Sequence, residues 1–379
     1  MIPSDNSVLL DKVRGSLYGG AIGDALGAPV EGYTPERINE LYGVITDFVP
    51  TLDDSPRRRH RTEGRYTDDT HMVQALSQAY IDEGGHLDAH SFARRIVPLI
   101  LEPRWIPDLE REMPIVERLF YPEKWLYIRN GLANADPRTA GAGNMVNCGA
   151  AMYATPVGIV NAGDPVSAYH EAVDVLSAHQ HSYGLEAAAV QATAVAEAFR
   201  PGASVNSIID VVLSLARDGT RKAIEAVVEC ARGYDDWFEA IGPLRDAMRP
   251  WDGAPDILGD RGKGNNDNTP SREHSIEEVP IALAFLIVAK GDFAGSICGG
   301  TNYGRDNDSI AGKAGAIAGA LHGASAIRQD WIEQVRSAND IDFDPMAREL
   351  TALVCKLQRE QLAAAQDRAA DFEILLAAN

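Results

Sequence analysis

Apolar residues recur at helical spacing along most of the chain, and period-two alternation is nearly absent. Over residues 7–26, Val8, Leu9, Val13, Leu17 and Ile22 mark a helix on which Gly15, Gly19, Gly23 and Gly27 return every fourth residue along one face. The same spacing appears in residues 299–322, where a polar glycine-rich loop leads into an apolar helix and Gly315, Gly319 and Gly323 share a face. Each such glycine costs a helix roughly 1 kcal/mol against Ala, a cost accepted where a second helix must approach closely. Further helices are predicted over residues 71–82, 150–160, 165–177, 185–199, 207–215, 221–232, 234–250, 276–287 and 345–366. The last carries Met346, Leu350, Leu353, Val354 and Leu357 on a face that packs on the body. Residues 100–127 read as a surface excursion whose aromatics, Trp105, Phe120, Tyr121 and Trp125, serve packing. The predicted fold class is all-α.

Composition narrows the partners. With 45% hydrophobic residues spread evenly over 379 positions and no low-complexity linker, a single domain over residues 1–379 is expected. A formal charge of -20 and a pI near 4.8 repel a phosphate backbone, which argues against extended nucleic-acid or anionic-membrane binding and favours a cation. Cys148, Cys230, Cys298 and Cys355 lack C-x-x-C spacing, so they suggest neither a zinc site nor a disulfide scaffold but small core residues in a reducing cytoplasm. No leader-like start and no apolar run of about 18 residues is seen, so a soluble cytoplasmic protein is expected.

Two short acidic loops carry the candidate chemistry. Thr67-Asp68-Asp69-Thr70 precedes one helix, which would put its carboxylates at and just before the N-cap, and Asp306-Asn307-Asp308-Ser309 opens another. Hard oxygen ligands without His or Cys select Mg²⁺, Mn²⁺ or Ca²⁺ over zinc, and four carboxylates suit two ions about 3.5 to 4 Å apart. An EF-hand starting at Asp306 would need Glu at its twelfth position, which is Ile317. A terpenoid-synthase D-D-x-x-D motif starting at Asp68 would need Asp where Met72 stands. Gly262-Lys263-Gly264 is no phosphate-binding P-loop, since no Ser or Thr follows the Lys. Glu31 sits on a turn after Pro29, either as loop surface or as a catalytic carboxylate. The glycine-rich residues 141–149 suit an anion cradle or a structural turn. His179-x-His181 suits half a metal site, a substrate contact or a satisfied hydrogen bond. The basic run 57–61 is a solvated loop or a phosphate-attracting rim, and residues 251–272 read as a lid.

Together these residues carry a resemblance. Gly19-Gly20-Ala21-Ile22-Gly23-Asp24-Ala25-Leu26-Gly27 through Glu31, then Tyr66-Thr67-Asp68-Asp69-Thr70, His181, and Gly304-Arg305-Asp306-Asn307-Asp308-Ser309-Ile310-Ala311 before the Gly/Ala helix stand in the order of the ADP-ribosylglycohydrolase family. The resemblance spans most of the chain. It implies a compact orthogonal bundle of many helices with a central cleft holding two Mg²⁺ ions, Mn²⁺ being the alternative. It implies hydrolysis at ribose C1″ of an ADP-ribosyl group on a protein side chain or small molecule. Thr67, Asp68, Asp69, Asp306, Asp308 and Ser309 would hold the metals, Glu31 would act as base with Asp68 and Asp69 beside it, and Asn147, Gly149, His181 and Arg305 would meet the substrate.

Two departures bear on substrate. The family's G-G-D-T-D-T reads Gly304-Arg305-Asp306-Asn307-Asp308-Ser309, so Arg replaces a glycine and Ser a ligand Thr while keeping the hydroxyl. Its G-N-G-A-A-M phosphate loop reads Asn147-Cys148-Gly149-Ala150-Ala151-Met152, without the first glycine and the central Asn. Two substrate classes therefore stand, an ADP-ribosyl adduct and a smaller N-riboside lacking the adenylate half. A non-catalytic ADP-ribose-binding or structural relative would show degraded metal ligands, and the full ligand set is present.

Overall fold

The computed structural model describes residues 7–52, 62–251 and 275–377, so the basic run 57–61 and the lid predicted after Trp251 lie outside the described residues. Sixteen α-helices are found among the described residues: α1 (Val8–Gly27), α2 (Pro35–Tyr42), α3 (Asp68–Glu83), α4 (Ala89–Leu101), α5 (Tyr121–Trp125), α6 (Thr155–Val160), α7 (Pro165–Leu176), α8 (Ser182–Ala198), α9 (Val205–Leu215), α10 (Asp218–Ala231), α11 (Trp237–Met248), α12 (Glu278–Val288), α13 (Phe293–Tyr303), α14 (Asn307–His322), α15 (Gln329–Asn339) and α16 (Asp344–Ala377). The fold is all-α.

The two glycine faces meet each other. α1 and α14 run antiparallel in backbone contact, with Gly15 against Gly319, Gly19 against Gly315, Gly23 against Ala311 and Gly27 against Asp308. A Cβ on Gly15, Gly19, Gly23 or Gly27 would lie 2.3, 2.3, 2.1 or 2.4 Å from the facing backbone, closer than any side chain tolerates. Ser16 Oγ adds a hydrogen bond across the pair, donating to the Ala316 carbonyl at 3.0 Å. Around it lies a core containing Leu17, Tyr18, Ile22 and Leu26 of α1 and the buried alanines of α8. This pair forms the rod to which the rest of the site is fixed.

Several elements differ from the sequence expectation. The loop before α14 is reduced to Gly304, Arg305 and Asp306, because residues 299–303 belong to α13. Gly299 is there for close packing, since a Cβ on it would lie 2.3 Å from the Phe285 ring. α3 begins at Asp68 with Thr67 as its N-cap, the Thr67 side chain accepting from Asp69 N at 3.1 Å. A hydroxyl therefore does the capping, and both carboxylates fall in the first turn rather than at the cap. The helix expected over 150–160 divides into a 3₁₀ turn (Ala151–Tyr153) and α6, with Pro156 starting the second piece. Residues 103–114 form an antiparallel hairpin, β1 (Pro103–Ile106) and β2 (Arg111–Pro114), with Pro103 opposite Pro114. The prolines at its ends obscure the alternation. α16 runs to Ala377, and its buried residues end at Leu357. Of the cysteines, Cys298 alone is buried as expected, while Cys148, Cys230 and Cys355 are half-buried and all four are free thiols. No described helix is long and apolar enough to cross a membrane.

Candidate active site

Asp24 of α1, buried in the apolar second half of that helix, organises the first acidic segment. Its carboxylate accepts from Thr67 N at 2.9 and 3.1 Å, from Thr70 N at 3.1 Å and from Thr70 Oγ1 at 2.5 Å. An anion at the start of α3 is favoured by the helix dipole and by the free N–H groups there. It locks the turn from which Asp68 and Asp69 project. From the other side, Ser309 Oγ of α14 donates to Asp69 Oδ2 at 2.6 Å, tying the two acidic segments together.

The Glu31 turn is fixed to the second acidic segment by backbone. Arg305 N donates to Tyr33 O at 2.8 Å, and Gly32 N donates to Arg305 O at 2.7 Å. Gly304 and Arg305 both take positive φ, at 80° and 62°, which turns the chain from α13 into α14. Asp306 occupies the N-cap position of α14 yet makes no capping bond, although Asp ordinarily caps in that place. Carboxylate oxygens of Glu31, Asp306 and Asp308 lie within 4.8 Å of one another.

These groups line a cavity of about 360 Å³. Glu31, Asp68, Asp69, Asp306, Asp308 and Ser309 form one wall, and Glu123, Glu277 and Glu278 extend the acidic lining. Phe120, Tyr121, Pro122, Met145 and Met152 supply an apolar side, with Phe120 and Tyr121 exposed at 44% and 61%. Burial pushes the Asp69 carboxyl well above its ordinary value, and the charges of Asp24, Asp306 and Asp68 add to this while Lys313 opposes it. Asp308 is raised likewise by burial, then by Glu31, Asp69, Asp306 and Asp24. Glu278 rises to about 8 through burial and the neighbouring Asp306, and Glu123 to about 7, chiefly through burial. Asp308 Oδ1 is buried without a hydrogen-bond partner among the described residues. Oxygen ligands crowded in this way suit divalent cations, which remove the repulsion that protonation would otherwise relieve.

The ADP-ribosylglycohydrolase family profile matches residues 5–363. The chain belongs to the ADP-ribosylglycohydrolase family. It is 27% identical to YegU of Escherichia coli K12 over 355 residues, covering 90% of this chain and 96% of that one. It is 26% identical to the ADP-ribosylarginine hydrolase Tri1 of Pseudomonas putida GB-1 over 371 residues, 91% of this chain and 82% of Tri1. A solved structure titled ADP-ribosylglycohydrolase-related protein complex superposes with a TM-score of 0.63 at 20% identity, covering 91% of this chain and 99% of that one, a likeness of fold. This family member is a glycosidase-type hydrolase of ADP-ribosyl linkages.

In this ADP-ribosylglycohydrolase the predicted site residues separate into two groups. The structure brings Glu31, Asp68, Asp69, Asp306, Asp308, Ser309 and Asn147 to one cavity. Thr67, Gly149, His181 and Arg305 do not line it. His181 Nε2 donates to the Asn144 carbonyl at 3.0 Å, and His179, fully buried and lowered to about 4 by burial, lies between Tyr153 OH and the Pro122 carbonyl. The His-x-His pair thus fastens loops to each other. Arg305 forms an ion pair with Glu277, which also accepts from Tyr303 OH at 2.7 Å. A Cβ on Gly149 would lie 2.2 Å from Glu123 Oε1, so this glycine admits a carboxylate.

Sequence reasoning missed Asp24, Glu123, Glu277, Glu278 and Lys313. Asp24 had a signal, the one charged residue between Arg14 and Glu31. Lys313 had one as well, a cation in the Gly/Ala face of α14, where it is 3% exposed. Glu123 lies in a stretch of Pro and aromatic residues that reads as surface. Asn147 Nδ2 donates to Glu123 Oε1 at 2.5 Å, while Asn147 Oδ1 accepts from Gly149 N at 3.1 Å and Gln180 Nε2 at 2.8 Å.

Proposed function

We propose that this hydrolase depends on Mg²⁺, in a pair of ions with Mn²⁺ as the alternative, and cleaves the bond at ribose C1″ of an ADP-ribosyl adduct to release ADP-ribose. The unpartnered buried Asp308 Oδ1 beside the Glu31 and Asp306 oxygens is the observation that supports this reading most directly. Mg²⁺ takes oxygen ligands, and Asp68, Asp69, Asp306, Asp308, Thr67 and Ser309 are the candidates to hold it. A bound cation supplies positive charge at the cleavage centre. The protein's own groups would do the rest. Glu31, on a turn held by two backbone bonds to Arg305, would take the proton of the attacking water. The carboxylates around it would stabilise positive charge developing on the ribose ring. Phe120 and Tyr121 would limit water at the apolar side.

Two observations favour a second reading, in which the substrate is a smaller N-riboside without the adenylate half. The Asn147 amide is engaged with Glu123, and none of the described residues lining the cavity is Lys, Arg or His.

Calorimetric titration of ADP-ribose, and separately of ribose 5-phosphate, with and without Mg²⁺, tests both. The first reading expects tight, Mg²⁺-dependent binding of ADP-ribose that is lost in Asp308→Asn with no drop in melting temperature. Binding of ADP-ribose that ignores Mg²⁺ would refute the cation dependence, and equal weak binding of the two ligands would favour the smaller riboside.

A further inference from the structure

Cys148 enters the cavity from the loop before the 3₁₀ turn, Glu278 from the first turn of α12, and Asp306 from the N-cap position of α14. The Cys148 Sγ and one carboxylate oxygen from each of the other two lie within 4.8 Å of one another. We propose that Cys148, Glu278 and Asp306 form a metal site of mixed sulfur and oxygen ligands, suited to a borderline divalent ion such as Zn²⁺ in preference to Mg²⁺.

The argument rests on the ligand set and on Glu278. That residue is 3% exposed, lines the cavity, and its Oε2 has no hydrogen-bond partner among the described residues. A buried carboxylate oxygen without a donor calls for either a proton or a cation. Hard ions such as Mg²⁺ avoid sulfur, whereas Zn²⁺ and Co²⁺ accept a thiolate together with carboxylates. Donor atoms around a tetrahedral ion at about 2.0 to 2.3 Å stand roughly 3.5 Å apart, so the three groups reach ligand geometry by small side-chain movements. Three protein ligands leave the fourth position open.

Asp306 belongs both to this group and to the Glu31, Asp306 and Asp308 oxygen cluster, so one carboxylate connects a sulfur-containing site to an all-oxygen one. Charge supports the arrangement. A thiolate and two carboxylates carry three negative charges, of which a divalent ion balances two. Lys313, buried behind the site and donating to Ser309 O at 3.4 Å, interacts electrostatically with Cys148, Glu278 and Asp306 and supplies the remaining positive charge. On binding, the Cys148 thiol proton passes to solvent and the sulfur takes up the ion.

The test uses the full-length protein stripped of metal by chelator and titrated with Co²⁺. A near-ultraviolet thiolate-to-Co²⁺ charge-transfer band is expected, displaced by Zn²⁺ and untouched by excess Mg²⁺. Cys148→Asn should abolish the band, and Glu278→Gln should weaken Co²⁺ binding by about tenfold or more, each variant keeping its helical circular dichroism. Co²⁺ binding to the wild-type protein without the band, persistence of the band in Cys148→Asn, or displacement by Mg²⁺ as readily as by Zn²⁺ would overturn the proposal. Because the wild-type spectrum alone decides the first point, a variant that failed to fold would not protect it. None of these readouts depends on the substrate or on turnover.

Discussion

Gly23→Ala and Gly20→Ala place the same methyl group on the same helix, three residues apart, and should shift stability in opposite directions. At Gly23 the new Cβ would lie 2.1 Å from the Ala311 carbonyl oxygen and 2.4 Å from its carbon, against a floor of 3.0 Å for real Cβ contacts. The obstacle is backbone, so α1 and α14 must part by about 0.9 Å to admit it. Overpacking of this kind costs ~1–3 kcal/mol, or more where backbone must move, and the gain in helix propensity of ~1 kcal/mol offsets only part of that. At Gly20 the nearest atoms are Ala316 Cβ at 3.5 Å and Gly312 O at 3.6 Å, ordinary contacts, so the propensity gain stands alone. Gly23→Ala should therefore lose roughly 1–2 kcal/mol and Gly20→Ala gain roughly 0.5–1 kcal/mol. Denaturant titration with fixed slope measures both. Gly27 packs on the Asp308 backbone one turn further along, so parting the helices also displaces a candidate metal ligand, and Mn²⁺ affinity should fall in Gly23→Ala alone. Two variants that are both stabilised would mean that α1 and α14 are not in backbone contact.

Two further substitutions probe the buried charges. Glu123 is held at about 7 against an ordinary 4.5, so between those values the folded protein keeps a proton that the unfolded chain has lost. Glu123's share of the stability should fall by roughly 3 kcal/mol as pH rises through that window, in addition to the falls from Glu278, Asp69 and Asp308, which are raised as well, and Glu123→Gln should remove that share alone. Urea unfolding of the metal-free protein at about pH 5 and about pH 8 compares the two, and identical slopes against pH for wild type and variant would contradict the assignment. Arg305→Gly would relieve a positive φ worth ~1 kcal/mol but remove the ion-pair partner of Glu277, whose side chain is 1% exposed. Breaking a buried pair costs ~3–5 kcal/mol, so a net loss of roughly 2–4 kcal/mol is expected in thermal melting, and a more stable variant would show that the pair does not hold the loop.

The sequence made the helices and the two acidic segments readable because each depends on local chemistry. Glycine every fourth residue marks a close-packed face wherever it occurs, and adjacent aspartates before an apolar helix stand out against a single capping residue. What could not be read was the partner of each feature. That Gly19 faces Gly315, or that Asp24 caps the segment containing Thr67, is a long-range pairing with no local signature. Asn147 shows the limit most clearly. Its place in the altered phosphate loop suggests a substrate contact, and in the fold it does line the cavity, but nothing local shows that its amide also donates to the Glu123 carboxylate. Glu123 itself lies in a stretch whose prolines and aromatics resemble surface, and its burial depends on Gly149 admitting it from a separate segment.

The way the acids are mounted bears on the proposed need for a cation. Asp68 and Asp69 lie in the first turn of α3, Glu278 in that of α12 and Asp308 in that of α14, so three helix N-termini face one cavity. Each N-terminus stabilises a nearby carboxylate by ~0.3–1 kcal/mol, and by up to ~2 kcal/mol where partly buried. Two like charges about 4 Å apart repel by ~4 kcal/mol at an effective dielectric constant of 20, and this cavity brings several such pairs together. The dipoles orient the carboxylates without balancing them, and the buried ammonium of Lys313 leaves most of the charge uncompensated. Protonation is one remedy, which is the direction in which Asp69, Asp308, Glu278 and Glu123 all shift. Divalent cations are the other, and they would let Asp69, Asp308 and Glu278 remain ionised at neutral pH. Metal binding should therefore stabilise the fold as well as equip it for hydrolysis, because the same repulsion opposes both the ionised site and the packing of α1 against α14 that brings Asp308 to it.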